Sequence, residues 1–391
     1  MSGRVPPPPV PATPLDASID EACADLGLEG LARELDRAPR FPRETFRTLG
    51  ERGLLGLSVP NDRGGRGLPL VDVGAALYRL ARTSGATVFG KLALQPEFCS
   101  VLAEQGPPAL VAEFYRPLCR GSTLVGNQLT EPGAGSDTRA MATEARRDGE
   151  EYRLTGTKSE AAFAVEAEAA IVYARVPAHP RGPGGITAFL VPQRGPGIER
   201  AAVADMGERW MRRGTVRYRD VAVPATYRLG EEGQGFDYVL PELHRERALL
   251  ALIYLGVARR TLEETVEHVG QREAFGGPLS RQEAVAFPLT EDWAEGDAAT
   301  LYALEVLRRR QEGVAADGEA AMAKWMATEI ALRTIDHAIQ FHGGRGYSQA
   351  LPFEQRWRDV RSGRLAHGPS ELMHLAARRV LWAGAGRPGS S

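Results

Sequence analysis

An α+β chain is predicted, with a β-rich middle between two helical flanks. Three observations predict it. Near the start, Leu26, Leu28, Leu31, Ala32 and Leu35 recur at helical spacing. In the middle, the short runs YRLTGTK, AAIVYARV, ITAFLVP and TVRYRDVAVP alternate or are β-branched, and Gly and Pro clusters separate them. Towards the end, long helical patterns return, such as ERALLALIYLGVARRTLEETVEHV and AAMAKWMATEIALRTIDHAIQFH. Helices, then sheet, then helices is the signature of segregated α and β layers.

In chain order, residues 1–15 are a Pro-rich tail, expected to be disordered. Residues 16–121 are an N-terminal helical domain. Within it Pro42 suits the first turn of a helix through FPRETFRTLGERGLLG, and VPNDRGGRGLP (59–69) is a glycine-rich loop. Residues 122–232 form the middle β domain and 233–382 the C-terminal helical bundle. The last nine residues, 383–391, are expected to be a disordered tail.

Composition bounds the function. Lys plus Arg is 48 and Asp plus Glu is 50, for a net charge of −2. A broad nucleic-acid footprint needs a basic excess, so no nucleic-acid partner is expected. The longest apolar run, about Ala248 to Ala258, falls short of the ~20 residues that span a membrane. Cys23, Cys99 and Cys119 lie far apart, with neither metal spacing nor a disulfide framework. A cytoplasmic setting and no metal are therefore expected. Positive charge is almost all arginine, with lysine only at 91, 158 and 324. Mutational bias in a GC-rich genome explains that skew; bidentate phosphate binding by some arginines is the functional alternative.

The segment NQLTEPGAGSD (127–137) closes a predicted strand and opens a glycine-rich turn. Its glycines allow a ligand close to the backbone, Thr130 and Ser136 offer hydroxyls, and the turn offers N–H donors. Such a loop suits a phosphate or a polar ring edge. Together with FPRETFRTLGERGLLGLSVPNDRGGRGLPL, REAFGGPL and QFHGGRGYSQALPFEQRWRDVR, it gives four pieces in order. In these pieces the chain resembles the acyl-CoA dehydrogenase flavoenzymes over about residues 16–382. The resemblance implies the acyl-CoA dehydrogenase fold: an N-terminal helical domain, a middle β domain and a C-terminal four-helix bundle. It also implies FAD as cofactor and a homodimer or homotetramer.

The chemistry so implied is FAD-dependent α,β-dehydrogenation of an acyl thioester. A carboxylate removes the α-proton while the β-hydride leaves to the flavin. The resemblance assigns the cofactor to Gln128, Leu129, Thr130, Gly135 and Ser136, to Arg272 and Phe275 of REAFGG, and to Gln340, Gly343 and Gly344. Glu283 stands where the family usually carries a glutamine. Where one branch has its catalytic glutamate before a glycine, this chain has His367. Another branch, similar to isovaleryl-CoA dehydrogenase, carries the base on a different helix, and Glu246-Arg247 falls there. Glu246 is the expected base, with His367 a pocket residue or substitute base, and Arg247, Ser136 and Arg213 are expected substrate contacts. After GTK the family's Trp-Ile-Thr is replaced by Glu160-Ala161-Ala162.

Period-2 alternation places Arg213, Arg217 and Arg219 on one face, suited to a coenzyme A phosphate or an acidic carrier protein. The expected partners are an acyl thioester, bound to coenzyme A or acyl carrier protein, and an electron acceptor. Secondary metabolism is the expected setting. Two other functions stay open on the same fold: a flavin monooxygenase-like or non-redox enzyme, and a catalytically silent scaffold subunit that has lost FAD.

Overall fold

The structure, a computed structural model, describes residues 4–177, 179–181 and 185–382. The tail expected over 383–391 lies outside the described residues. By its internal contacts the chain divides into two compact units. One unit takes residues 4–23, 69–90 and 244–382; the other takes 24–68 and 91–243.

The expected N-terminal helical segment is therefore shared out, and glycines show why. The helix Leu70–Ser84 belongs with the C-terminal helices. A Cβ at Gly74 would come within 2.5 Å of both Leu252 Cδ1 and Leu307 Cδ1. A Cβ at Gly256 would lie 2.4 Å from the Tyr78 carbonyl. Bare backbone lets these helices approach closely, and the apolar run Ala248 to Ala258 packs there. The run lies on the helix Gly235–Gln271, and the same unit holds the helices Glu283–Gln311, Asp317–Phe341, Phe353–Arg361 and Ser370–Leu381. Glu283 sits in the first turn of its helix, where the peptide dipole favours a carboxylate.

The lead-in expected to be free lies against this same unit. Val5 packs beside Leu262, Val269 and Leu289, and Arg259 donates to the Pro6 carbonyl. Leu15 is buried.

The other unit is built on one eight-stranded sheet. Its strands are β1 (Val125–Gln128), β2 (Glu144–Asp148), β3 (Glu151–Ala161), β4 (Ala169–Arg175), β5 (Ile186–Pro192), β6 (Ile198–Ala202), β7 (Gly214–Pro224) and β8 (Arg228–Leu229). Their order is β6-β7-β3-β2-β4-β5-β8, with β1 parallel to β4. The four runs read from sequence became β3, β4, β5 and β7. β4 and β5 are buried on both faces almost throughout, whereas β7 alternates. Two register shifts interrupt the β3–β7 ladder, the second between Lys158 and Ala161. A bulge there re-aims the side chains that follow.

All three thiols are buried, and burial pushes Cys23 and Cys119 up to about 12. A thiol so placed is a poor nucleophile at neutral pH. A disulfide-exchange reagent at pH 8 is expected to titrate no thiol in the native protein and three after unfolding; rapid native labelling would contradict the packing.

Candidate active site

Each unit carries one constellation. In the first, Glu246 lies on the helix Gly235–Gln271, two residues before the buried run that starts at Ala248. Its side chain is 3% exposed, and Oε2 lies 3.1 Å from Nε2 of His367. His367 sits between the 3-10 turn Ser362–Arg364 and the helix Ser370–Leu381. Its φ is +55°, a left-handed conformation that costs a non-glycine residue about 1–3 kcal/mol. The surroundings enforce it. Lys324, on the helix Asp317–Phe341, is 1% exposed and donates to the carbonyls of Ala366 and Gly368, both at 2.6 Å. Arg247 Nε donates to the carbonyl between them, that of His367, at 3.1 Å. Three consecutive carbonyls are thus drawn onto two cations.

Glycines again make room for this loop. A Cβ at Gly363 would lie 2.7 Å from Tyr254 Cζ and from Thr328 Cγ2. Gly368 has φ +95°, and a Cβ there would meet Met373 Cε at 2.7 Å. His244 Nδ1 stands 2.9 Å from Asp317 Oδ2, which ties the helix carrying Glu246 to the helix carrying Lys324. The outcome is a carboxylate withdrawn from water and paired with an imidazole, a combination suited to moving a proton. The sequence had named Glu246 and His367 as alternatives; the structure brings them together. Arg247, expected at a substrate, is engaged on the His367 backbone.

The same unit holds Arg272 and Phe275, both exposed, with Phe275 at 92%. Gln340, Gly343 and Gly344 are exposed as well. Gly343 has φ +61° and ψ −141°, a region open only to glycine. The rings of His268 and His342 stack at 4.0 Å, joining the helix end before Arg272 to the turn at Gly343.

In the second unit, the loop after β1 is fixed at its base and open at its tip. Gln128 is buried, and its amide is committed: Nε2 donates to Gln193 at 3.0 Å, and Oε1 accepts from the Tyr218 hydroxyl at 2.6 Å. Only its backbone is left to a ligand. Leu129 O accepts from Lys158 Nζ at 3.2 Å, and Thr130 O accepts from Ser159 N at 3.0 Å. Glu131 accepts from Lys158 Nζ at 2.7 Å and from the N–H groups of Ala142 at 2.6 Å and Thr143 at 3.1 Å. Burial alone would raise the Glu131 carboxyl, but Lys158 and these donors hold it below the usual carboxylate range. Burial lowers Lys158 to about 8 against the pull of Glu131. Beyond this anchor, Gly135 and Ser136 are exposed.

Two sequence expectations change here. Arg213 was expected to hold a phosphate. Instead two of its nitrogens, Nε and Nη2, reach Asp205 at 3.0 and 2.6 Å, and Nη2 also pairs with Glu160 at 3.1 Å. Arg217 and Arg219 do share the outward face of β7, but both turn to Glu199 on β6. Each of the three guanidinium groups thus already has a carboxylate beside it.

The residues present fit FAD at its polar parts. A Cβ at Gly133, Gly135, Gly343 or Gly344 would meet nothing within 4 Å, so the backbone at these positions is open to a ligand. Glu160, which replaces an aromatic residue, has φ +54° on the bulge and carries its charge to Arg213. Phe163 does not restore the missing ring: it is buried against Phe41 and Trp210.

Comparison with known proteins adds to this geometry. The chain matches "Acyl-CoA dehydrogenase, N-terminal domain" over residues 19–122, "middle domain" over 126–221 and "C-terminal domain" over 233–381. It is 32% identical to a probable acyl-CoA dehydrogenase of Bacillus subtilis, over 90% of this chain and 92% of that one. It is 31% identical to a 3-(aryl)acrylate reductase of Clostridium sporogenes, over 90% and 93%. Its fold superposes on butyryl-CoA dehydrogenase from Megasphaera elsdenii with a TM-score of 0.87 and 28% identity, covering 95% and 99%.

Sequence reasoning had not marked Glu131, Lys158 or Lys324 as part of any site. The one signal was that lysine is so rare. Replacing Glu131 by Gln leaves the Lys158 ammonium buried without a carboxylate, and is expected to cost about 3–5 kcal/mol in denaturant unfolding. Because the folded pKa of Glu131 is depressed, its contribution is complete above the ordinary carboxylate range. It is lost as pH falls through the folded value, so the gap between the two proteins is expected to narrow in acid.

Proposed function

The chain belongs to the acyl-CoA dehydrogenase family of oxidoreductases, and from that premise we propose that it oxidises an acyl thioester at Cα–Cβ with Glu246 as the base. One observation carries the choice of base: the Glu246 carboxylate is buried to 3% exposure and held 3.1 Å from an imidazole. Glu246 takes the α-proton. His367 lines the same pocket, and its Nε2 orients the carboxylate; without Glu246 it is the substitute base. Burial of Glu246 strips most water from its carboxylate, which favours proton uptake, while the imidazole, 23% exposed, keeps a route to solvent.

The family is FAD-dependent, and the fit described above supports FAD here. When bound, FAD supplies the acceptor for the β-hydride. The backbone of residues 129–136 would hold its polar ring edge. Arg272 and the Gly343–Gly344 turn would hold its phosphates, Arg272 by a bidentate guanidinium contact. The exposed Phe275 and Tyr347, at 92% and 84%, support a homodimer or homotetramer that covers them. The proposed setting is cytoplasmic, supported by three thiols that form no disulfide. Among the described residues no helix is long and apolar enough to cross a membrane. The acyl group rides on coenzyme A or on an acyl carrier protein. The carrier form would place the enzyme in secondary metabolism, and an electron acceptor completes the cycle.

The purified protein is expected to show a flavin spectrum that bleaches anaerobically with a candidate acyl-CoA or acyl carrier protein thioester. Comparing the two thioesters identifies the carrier. Glu246→Gln is expected to lower kcat by roughly 10²–10⁴-fold. A colourless protein that FAD does not reconstitute would overturn the redox reading. Full turnover by flavin-loaded Glu246→Gln would overturn the choice of base.

A further inference from the structure

We propose that Lys324 is a positioning residue for the Glu246–His367 pair, acting through the loop backbone. The inference rests on Glu246 being the base. A buried ammonium has three N–H donors and no internal carboxylate is required to satisfy it, since carbonyl oxygens serve as well. Lys324 donates to Ala366 O and Gly368 O, the two carbonyls that bracket His367. Both bonds are 2.6 Å, at or just below the short end of charge-assisted N–H contacts, about 2.7–2.9 Å. Joining carbonyls two residues apart through one point bends the chain between them. His367, the residue at that bend, is the one found at φ +55°. Arg247 closes the bend from the helix of Glu246 itself.

The imidazole reaches Glu246 because the backbone is held in this unfavourable conformation. Without the ammonium, the two bonds bracketing His367 are lost, and the single Arg247 contact is left against the left-handed cost. The peptide then relaxes, and the ring withdraws from the carboxylate. An arginine would not serve in the same way, since its planar fork matches two oxygens of one group better than two carbonyls on separate residues.

The test uses full-length, flavin-loaded protein and two readouts. One is steady-state oxidation across pH. The other is exchange of the substrate α-proton with D₂O, followed by NMR on a thioester lacking β-hydrogens, which reports the base without redox turnover. Lys324→Met is expected to slow both by about 10-fold or more, with KM little changed and the acid limb of the kcat profile displaced. In a His367→Ala background the same substitution is expected to add nothing, because both changes remove one coupled element. Gly368→Ala crowds the loop against Met373 and leaves Lys324 in place, so it is expected to give the same signature. Where Lys324→Met does not fold, Lys324→Gln and Gly368→Ala carry the test.

Wild-type kcat, exchange rate and pH profile in a folded Lys324 variant would overturn the proposal, and so would wild-type behaviour of Gly368→Ala. Fully additive losses in the double variant would overturn it too, since they would mark a general loss of stability. Failure of the underlying reading looks different: Glu246→Gln would then exchange the α-proton at the wild-type rate, whatever Lys324 does.

Discussion

An ammonium taken out of water has to be surrounded by acceptors, and this chain meets that demand at every lysine it has. Lys91 is buried against Glu208, Lys158 against Glu131, and Lys324 against two peptide carbonyls. Desolvating such a group costs several kcal/mol, so each site is stable only with its partners in place. The partners are all on segments that would otherwise be free to move. Glu208 sits at φ +50°, Glu131 opens the glycine loop after β1, and the carbonyls flank His367. In this fold the buried cation is therefore a device for fixing irregular backbone.

The same demand relates backbone strain to chemistry. Both constellations contain non-glycine residues in the left-handed region: His367 in one, Glu160 and Phe163 in the other. Each is held by longer-range bonds. His367 is held through the carbonyls around it, Glu160 by its ion pair to Arg213, and Phe163 by its N–H to the Met211 carbonyl at 2.9 Å. Such conformations persist only where the surroundings over-determine them.

How much of this was legible in the sequence varied with how local the cause was. The strands that bury apolar runs, β3, β4, β5 and β7, stood out by composition. The others are short or polar, as in EARRD and IERAA, and carry too little pattern to be seen. That the helix Leu70–Ser84 would join the C-terminal helices was invisible, because it depends on space at Gly74 beside Leu252 and Leu307. Glu246 and His367 were readable as residue types, but their pairing joins distant positions through a loop whose shape Lys324 sets. The surroundings of Arg213 were unreadable for a related reason. A sequence shows a cation, but not the Asp205 and Glu160 carboxylates that neutralise it.

The scarcity of lysine now has a second meaning. Whatever pressure filled the surface with arginine, lysine remained at three positions, and each of them is interior. A compact tetrahedral charge fits those sites, and a planar guanidinium does not. It follows that the folded protein offers acylating reagents almost no lysine amine. Active-ester dyes, amine-directed cross-linkers and acetylating enzymes would find little to react with until the chain opens.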